Sequence, residues 1–142
     1  MDQEQTLVLL KPDTVERGLM GEMITRLEQK RLQVTAMKMM HVDRAMAEEH
    51  YDEHRDKPFF GDLIGFITSG RVVAMVVEGP QAISVVRAMM GATNPFEAQS
   101  GTIRGDFGLD LTANLVHGSD SPESAESEIE RFFDAEEILQ VG

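Results

Sequence analysis

Hydrophobic and polar positions divide the chain into short segments of clear period. Residues 6 to 10, TLVLL, form an unbroken apolar run followed by Lys11-Pro12-Asp13, which predicts a buried strand stopped by the proline. Met20, Met23, Ile24 and Leu27 then recur at helical spacing, and the helix they define ends around Gln29-Lys30. Leu32, Val34 and Ala36 alternate with Gln33, Thr35 and Met37, giving a second strand that reaches His41. Asp43 is placed to cap a helix through His50, and Pro58 to open another whose inner stripe is Phe60, Leu63, Ile64 and Ile67, closed by Gly70. RVVAMVVE, residues 71 to 78, is the plainest strand, and a helix follows from Pro80 to Met90, stopped by Gly91.

From Gly91 to Thr112 periodicity dissolves into Gly, Thr, Asn, Pro and Ser with scattered apolar residues, a loop of a length that suggests function. Leu115-Val116 is a candidate final strand. Ser121-Pro122 then starts a helix with Ala125, Ile129 and Phe132 on one face. The order β-α-β-α-α-β-α-loop-β-α predicts an α+β sandwich of the ferredoxin-like kind, with helices covering a mostly antiparallel four-stranded sheet. The 142 residues fit one domain, 1–142.

Composition narrows the function classes. With no cysteine there is neither a disulfide framework nor thiol chemistry. The charged opening at Asp2 and Glu4 lacks a signal-peptide pattern, and no apolar run is long enough to span a membrane, so the expectation is a cytoplasmic protein without a membrane partner. A net charge of −12 disfavours nucleic-acid backbones and anionic lipid. That acidity, with nine Arg to four Lys, suggests adaptation to salt as a hypothesis, which thermal melts unchanged between low and molar salt would remove. The charge is also uneven: residues 79 to 105 carry Arg87 and Arg104 against Glu97 alone, whereas residues 120 to 137 carry eight acids against Arg131. The local cationic stretch suits an anionic ligand, or two solvated arginines.

Among the histidines, His50 and His54 lie one helical turn apart among charged neighbours and read as a solvated helix face, a third metal ligand and HExxH both being missing. His117 differs, because Gly118 leaves its ring accessible and Ser119 and Asp120 crowd polar atoms around it. Glu128 falls on or beside the apolar stripe of the last helix. If helix and strand are adjacent, its carboxylate can accept a hydrogen bond from one ring nitrogen of His117 and leave the other free to attack; otherwise it is a stripe-edge glutamate reaching water. No Walker A loop or GxGxxG occurs, so phosphates would be held by side chains, with Lys11 fixed at a strand end.

The segments LLKPD (9–13), KPFFGDL (57–63), MMGATNP (89–95), GTIRGDF (101–107) and NLVHGSDS (114–121) together resemble the nucleoside diphosphate kinases from about Thr6 to Phe133. The resemblance implies that His117 takes the γ-phosphoryl of a nucleoside triphosphate and passes it to a second diphosphate in ping-pong fashion. By the same likeness Lys11, Arg87 and Arg104 supply cations, Thr93 donates to the phosphates, and Tyr51 hydrogen-bonds near the transferred group. Phe59 stacks on the base with Leu111 opposite and Leu63 nearby, which implies broad base and sugar specificity. Asn114 and Lys11 bind sugar hydroxyls, while Ser119 and Glu128 orient the histidine. Mg²⁺ is implied as the cofactor, held mainly through nucleotide phosphates and waters, with no protein metal ligand. The family implies a homo-oligomer, a hexamer or tetramer built from dimers. Leu111 is bulkier than the valine often found there. The other reading is a catalytically weak nucleotide-binding regulatory module of the same fold; nucleic-acid binding has no basic stripe to support it.

Overall fold

The computed structural model describes residues 3–140, so the charged opening at Asp2 and both ends of the expected 1–142 domain lie outside it. Four strands, β1 (Glu4–Leu10), β2 (Gln33–His41), β3 (Arg71–Gly79) and β4 (Val116–Gly118), pair antiparallel throughout in the order β2-β3-β1-β4. Among the described residues seven α-helices are interleaved: α1 (Pro12–Glu16), α2 (Met20–Gln29), α3 (Arg44–His50), α4 (Phe60–Ile67), α5 (Ala82–Met90), α6 (Ile103–Phe107) and α7 (Pro122–Phe132). The α+β sandwich of the ferredoxin-like kind is therefore present.

TLVLL shows no alternation because both faces of its strand are covered. Val8 and Leu10 join Val73, Met75 and Val77 in a core closed by α2 and α5 residues such as Met23, Leu27 and Val86. Leu7 and Leu9 join Val72, Ala74 and Val76 on the opposite face, beneath Ala47, Ile64, Ile129 and Phe132 of α3, α4 and α7. Strand β2 is a sheet edge, which leaves Met37 and Met39 exposed, and the pairing to β3 shifts register between Val34 and Ala36. Among the described residues no helix is long and apolar enough to cross a membrane.

Local chemistry explains where elements start. Asp43 caps α3 by accepting from the Met46 N–H at 2.8 Å, and Ser121 caps α7 by accepting from the Ser124 N–H at 3.1 Å. Three starts depart from the sequence reading. Pro12 stops β1 but also sits at the first position of α1, where its missing N–H costs nothing. Pro58 and Pro80 each precede their helices, α4 beginning at Phe60 and α5 at Ala82 after Gln81 takes a left-handed turn at φ 53°. The 91–112 stretch is built rather than loose: Asn94 caps a single 3-10 turn at Pro95–Glu97, and Thr102 caps α6 by accepting from the Gly105 N–H at 3.0 Å. Arg26 fastens α6 to α2, donating to Asp106 at 2.8 Å and to the Gly101 carbonyl at 3.1 Å.

Candidate active site

Pleating places the imidazole. His117 is the register partner of Leu9 in the antiparallel pair, so both side chains leave the same face of the sheet, the face roofed by α3 and α7. Glu128 descends from α7 one turn after Ala125, and its Oε1 lies 2.9 Å from His117 Nε2. Ser119 Oγ donates to that same oxygen at 2.6 Å while accepting from the Leu7 N–H at 3.2 Å, which fixes the hydroxyl to the sheet. Burial alone would push the Glu128 carboxyl up, but the His117 hydrogen bond and charge together with the Ser119 hydrogen bond outweigh it and hold Glu128 below its ordinary value. An ionised carboxylate at Nε2 keeps the proton there and leaves the Nδ1 lone pair outward.

Gly118 also has a packing role. A Cβ there would stand 2.7 Å from Met90 Sδ and 3.1 Å from Val86 Cγ1, so glycine lets β4 lie directly on α5. That contact brings Arg87 of α5 to the site, where it donates to the Gly118 carbonyl at 3.1 Å.

The second cation is not a solvated arginine. Arg104, 4% exposed, sends Nε to the Asn114 carbonyl at 3.2 Å, Nη1 to Gly91 at 3.1 Å and Nη2 to Val116 at 2.7 Å. Burial, then the Arg87 charge, pulls its pKa down to about 10. Lys11, 6% exposed at the end of β1, donates to Asn114 Oδ1 at 2.7 Å, and Asn114 Nδ2 donates to the Thr93 carbonyl at 3.2 Å. Burial and the neighbouring Arg104 charge, opposed by Asp13, lower the Lys11 pKa to about 8. Three cations thus converge, and among the described residues none of them forms a carboxylate salt bridge, an arrangement that favours a polyanion.

These residues line one cleft of about 480 Å³, which also takes in Tyr51, His54, Phe59, Leu63, Leu111 and Thr112. Phe59 and Leu111 are 43% and 59% exposed, apolar surface held open at the mouth, and His54 packs its ring against Phe59 at 5.6 Å. Tyr51 is buried at the base, where desolvation and the Glu128 charge raise its hydroxyl to about 12. All twelve residues singled out in the sequence line this cleft or, for Ser119, bond a residue that does.

His50 corrects the sequence reading. It is not on a solvated face but packs edge-on against His117, centroids 4.6 Å apart, with Tyr51 and Phe132 around it. Burial, reinforced by the His117 charge, lowers its pKa to about 3, so the ring is neutral. The apolar partners Ala47 and Phe132 were the available signal: His50 lies three residues after Ala47, on the inner side of α3. His50, His117 and Glu128 offer ligand atoms within 4.8 Å of one another. However, Arg131 Nη1 donates to His50 Nδ1 at 3.3 Å, which puts the ring proton on Nε2 and ties up the lone pair a metal would need.

A family model described as nucleoside diphosphate kinase matches residues 4–138. The nucleoside diphosphate kinase of Archaeoglobus fulgidus is 63% identical over 136 residues, covering 96% of this chain and 90% of that one. That of Listeria monocytogenes serotype 4b is 60% identical, covering 96% and 92%. A halophilic nucleoside diphosphate kinase from Halobacterium salinarum, solved in complex with CDP, superposes with a TM-score of 0.97 at 51% identity, covering 99% of this chain and 94% of the other.

Proposed function

The chain belongs to the nucleoside diphosphate kinase family, enzymes that act on nucleotides, and we propose that residues 1–142 work as one catalytic domain in which His117 carries the phosphoryl group. The single observation behind this assignment is the 2.9 Å contact between His117 Nε2 and Glu128, which leaves Nδ1 as the free nucleophile facing the cationic cleft. In the first half-reaction the Nδ1 lone pair forms an N–P bond to the γ-phosphorus as the bond to the β,γ-bridging oxygen breaks, and the electron pair leaves with the nucleoside diphosphate. Reversal onto a second diphosphate completes the exchange. Glu128 stabilises the imidazolium character that develops on His117, and Ser119 holds Glu128 in place. Lys11, Arg87 and Arg104 meet the spread negative charge of the phosphoryl oxygens, Thr93 donates to the phosphates, and Tyr51 hydrogen-bonds near the transferred group.

Phe59 stacks on the base with Leu111 opposite and Leu63 beside it, and Asn114 with Lys11 contacts the sugar hydroxyls. Stacking reads no base edge, so purine and pyrimidine nucleotides, ribo and deoxyribo, are accepted alike. The donor set fits a Mg²⁺ carried in by the nucleotide. Among the described residues the carboxylates lining the cleft are Glu53, Asp120 and Glu128; Glu128 is engaged by His117 and Ser119, and Asp120 by Ser124. Too few remain for an all-protein cage, so phosphates and waters would hold the ion. When bound it supplies charge neutralisation on the phosphates. The protein acts in the cytoplasm as a homo-oligomer, a hexamer or tetramer built from dimers, which sedimentation at low and high salt would count.

Initial rates with ATP and a second diphosphate, varied together, should give the parallel double-reciprocal lines of a ping-pong exchange; intersecting lines would oppose a phosphoenzyme route. A pH test follows from Lys11. In the free enzyme kcat/KM should fall as pH rises through about 8, because a neutral amine no longer attracts phosphates. Lys11→Arg, which does not titrate there, should show no fall in that range even at reduced rate. Stability responds with the opposite sign. Between about 8 and the ordinary lysine value of about 10.4 the unfolded chain binds the proton that the folded chain has released, so this group makes the fold more stable as pH rises.

A further inference from the structure

Leu115 has φ 78°, in the left-handed half of backbone space and rare for a branched side chain, at the centre of a tight turn closed by the Val116 N–H donating to the Asn114 carbonyl at 2.9 Å; it is wholly buried two positions before His117. Its peptide groups are held from both sides by one segment. The Leu115 N–H donates to Asp13 Oδ2 at 3.1 Å. Its carbonyl accepts from the Lys11 N–H at 2.9 Å and from the Thr14 hydroxyl at 2.6 Å. The flanking carbonyls of Asn114 and Val116 are those that receive Arg104. The strained residue is therefore the junction of Lys11, Asn114, Arg104 and the strand that presents the imidazole.

We propose that Asp13 and Thr14 are positioning residues for phosphoryl transfer, clamping the Leu115 peptide in its left-handed conformation so that His117 and the Lys11–Asn114 pair face the phosphates in one fixed geometry. The proposal rests on His117 being the nucleophile. A left-handed leucine persists only when its surroundings over-determine it, and three hydrogen bonds from residues 11 to 14 supply that determination. Relaxation of residue 115 toward an ordinary φ would rotate the peptide planes on either side, moving the Asn114 side chain away from Lys11 and the start of β4 away from its register with β1. Displacements of about 1 Å suffice to slow an in-line transfer by roughly a hundredfold. Asp13 has a second effect, since its carboxylate opposes the burial and the Arg104 charge that act on Lys11.

Neither residue touches the space where a nucleotide binds, as neither lines the cleft, so the clamp should affect the chemical step more than binding. The experiment compares Thr14→Val, Thr14→Ser and Asp13→Asn with the native enzyme. Phosphorylation of His117 by ATP and Mg²⁺ is followed by rapid quench, ADP affinity by calorimetry and folding by thermal melts. Thr14→Val keeps the side-chain shape and leaves the Leu115 carbonyl its bond to Lys11, so it should fold with a melting temperature only a few degrees lower. Its phosphorylation rate should fall about tenfold with ADP affinity within twofold of native, and Thr14→Ser, which restores the hydroxyl, should recover the rate. Asp13→Asn should slow the step at least as much and move the alkaline limb of kcat/KM to lower pH. The charged or titratable groups that bear on Lys11 are Asp13 on α1, Arg104 on α6 and His50 on α3, and only the first is altered. Native rates in folded Thr14→Val and Asp13→Asn, or losses of rate matched by equal losses of affinity, would overturn the clamp. Native protein that becomes phosphorylated elsewhere than His117 would instead overturn the assignment of the nucleophile, whatever the variants do.

Discussion

His117→Ala is expected to reduce phosphoryl exchange to background, a loss on the order of 10⁶-fold, comparable to removal of the nucleophile in other covalent enzymes. No neighbour can take over. The His50 ring lies beside His117, but its Nδ1 lone pair is held by Arg131 and its Nε2 bears the proton. Tyr51 is held at about 12, far too weak a nucleophile near neutral pH. The fold should survive, because the imidazole contributes one hydrogen bond and Ser119 still donates to Glu128 after the change. Melting should drop by a few degrees, reflecting about 1 kcal/mol. Nucleotide affinity should be nearly unchanged, since in the proposed binding mode phosphates and base contact other residues. Preparations must be free of host kinase for the residual rate to carry meaning.

Arg104→Ala should be the next most damaging change, and it should damage both activity and stability. Its guanidinium donates to the carbonyls of Gly91, Asn114 and Val116, so one side chain ties the 91–112 segment to the strand bearing His117. Truncation removes charge from the proposed phosphate site and leaves buried carbonyls short of donors. The first effect should lower kcat/KM by about 10²–10³-fold; the second should cost about 2–4 kcal/mol, or a fall of roughly 5–15 °C in melting temperature. Arg104→Lys should not restore the protein, because a point charge cannot meet three carbonyls in the geometry of the guanidinium fork. Activity and melting temperature both near native in Arg104→Ala would show that the network is incidental.

Much of this was readable in the residues, and the failures have physical reasons. Apolar runs such as TLVLL and RVVAMVVE announce strands covered on both faces, and Asp43 and Ser121 announce their helices by capping chemistry. The pairing of His117 with Glu128 was legible as a conditional: the stripe of α7 aims Glu128 inward, and only the adjacency of α7 to β4 turns aim into contact. The burial of Arg104 was not legible, because its three acceptors are main-chain carbonyls scattered from Gly91 to Val116 and backbone acceptors leave no signature in side-chain identity. His50 reads as solvated because Glu48, Glu49 and Asp52 surround it in sequence, whereas Tyr51, His117 and Phe132 surround it in space. The turn at Leu115 runs against propensity altogether; nothing in a leucine suggests φ 78°, which goes with a local Val116 N–H to Asn114 carbonyl bond and three hydrogen bonds to residues 11 to 14.

Mass spectrometry under alkaline conditions, where phosphohistidine survives, is the most direct measurement of whether this imidazole carries the phosphoryl group. After brief mixing with ATP and Mg²⁺, the peptide containing His117 should gain a single phosphate that disappears on addition of a second nucleoside diphosphate. A His117 peptide that stays unmodified while exchange proceeds would contradict the account.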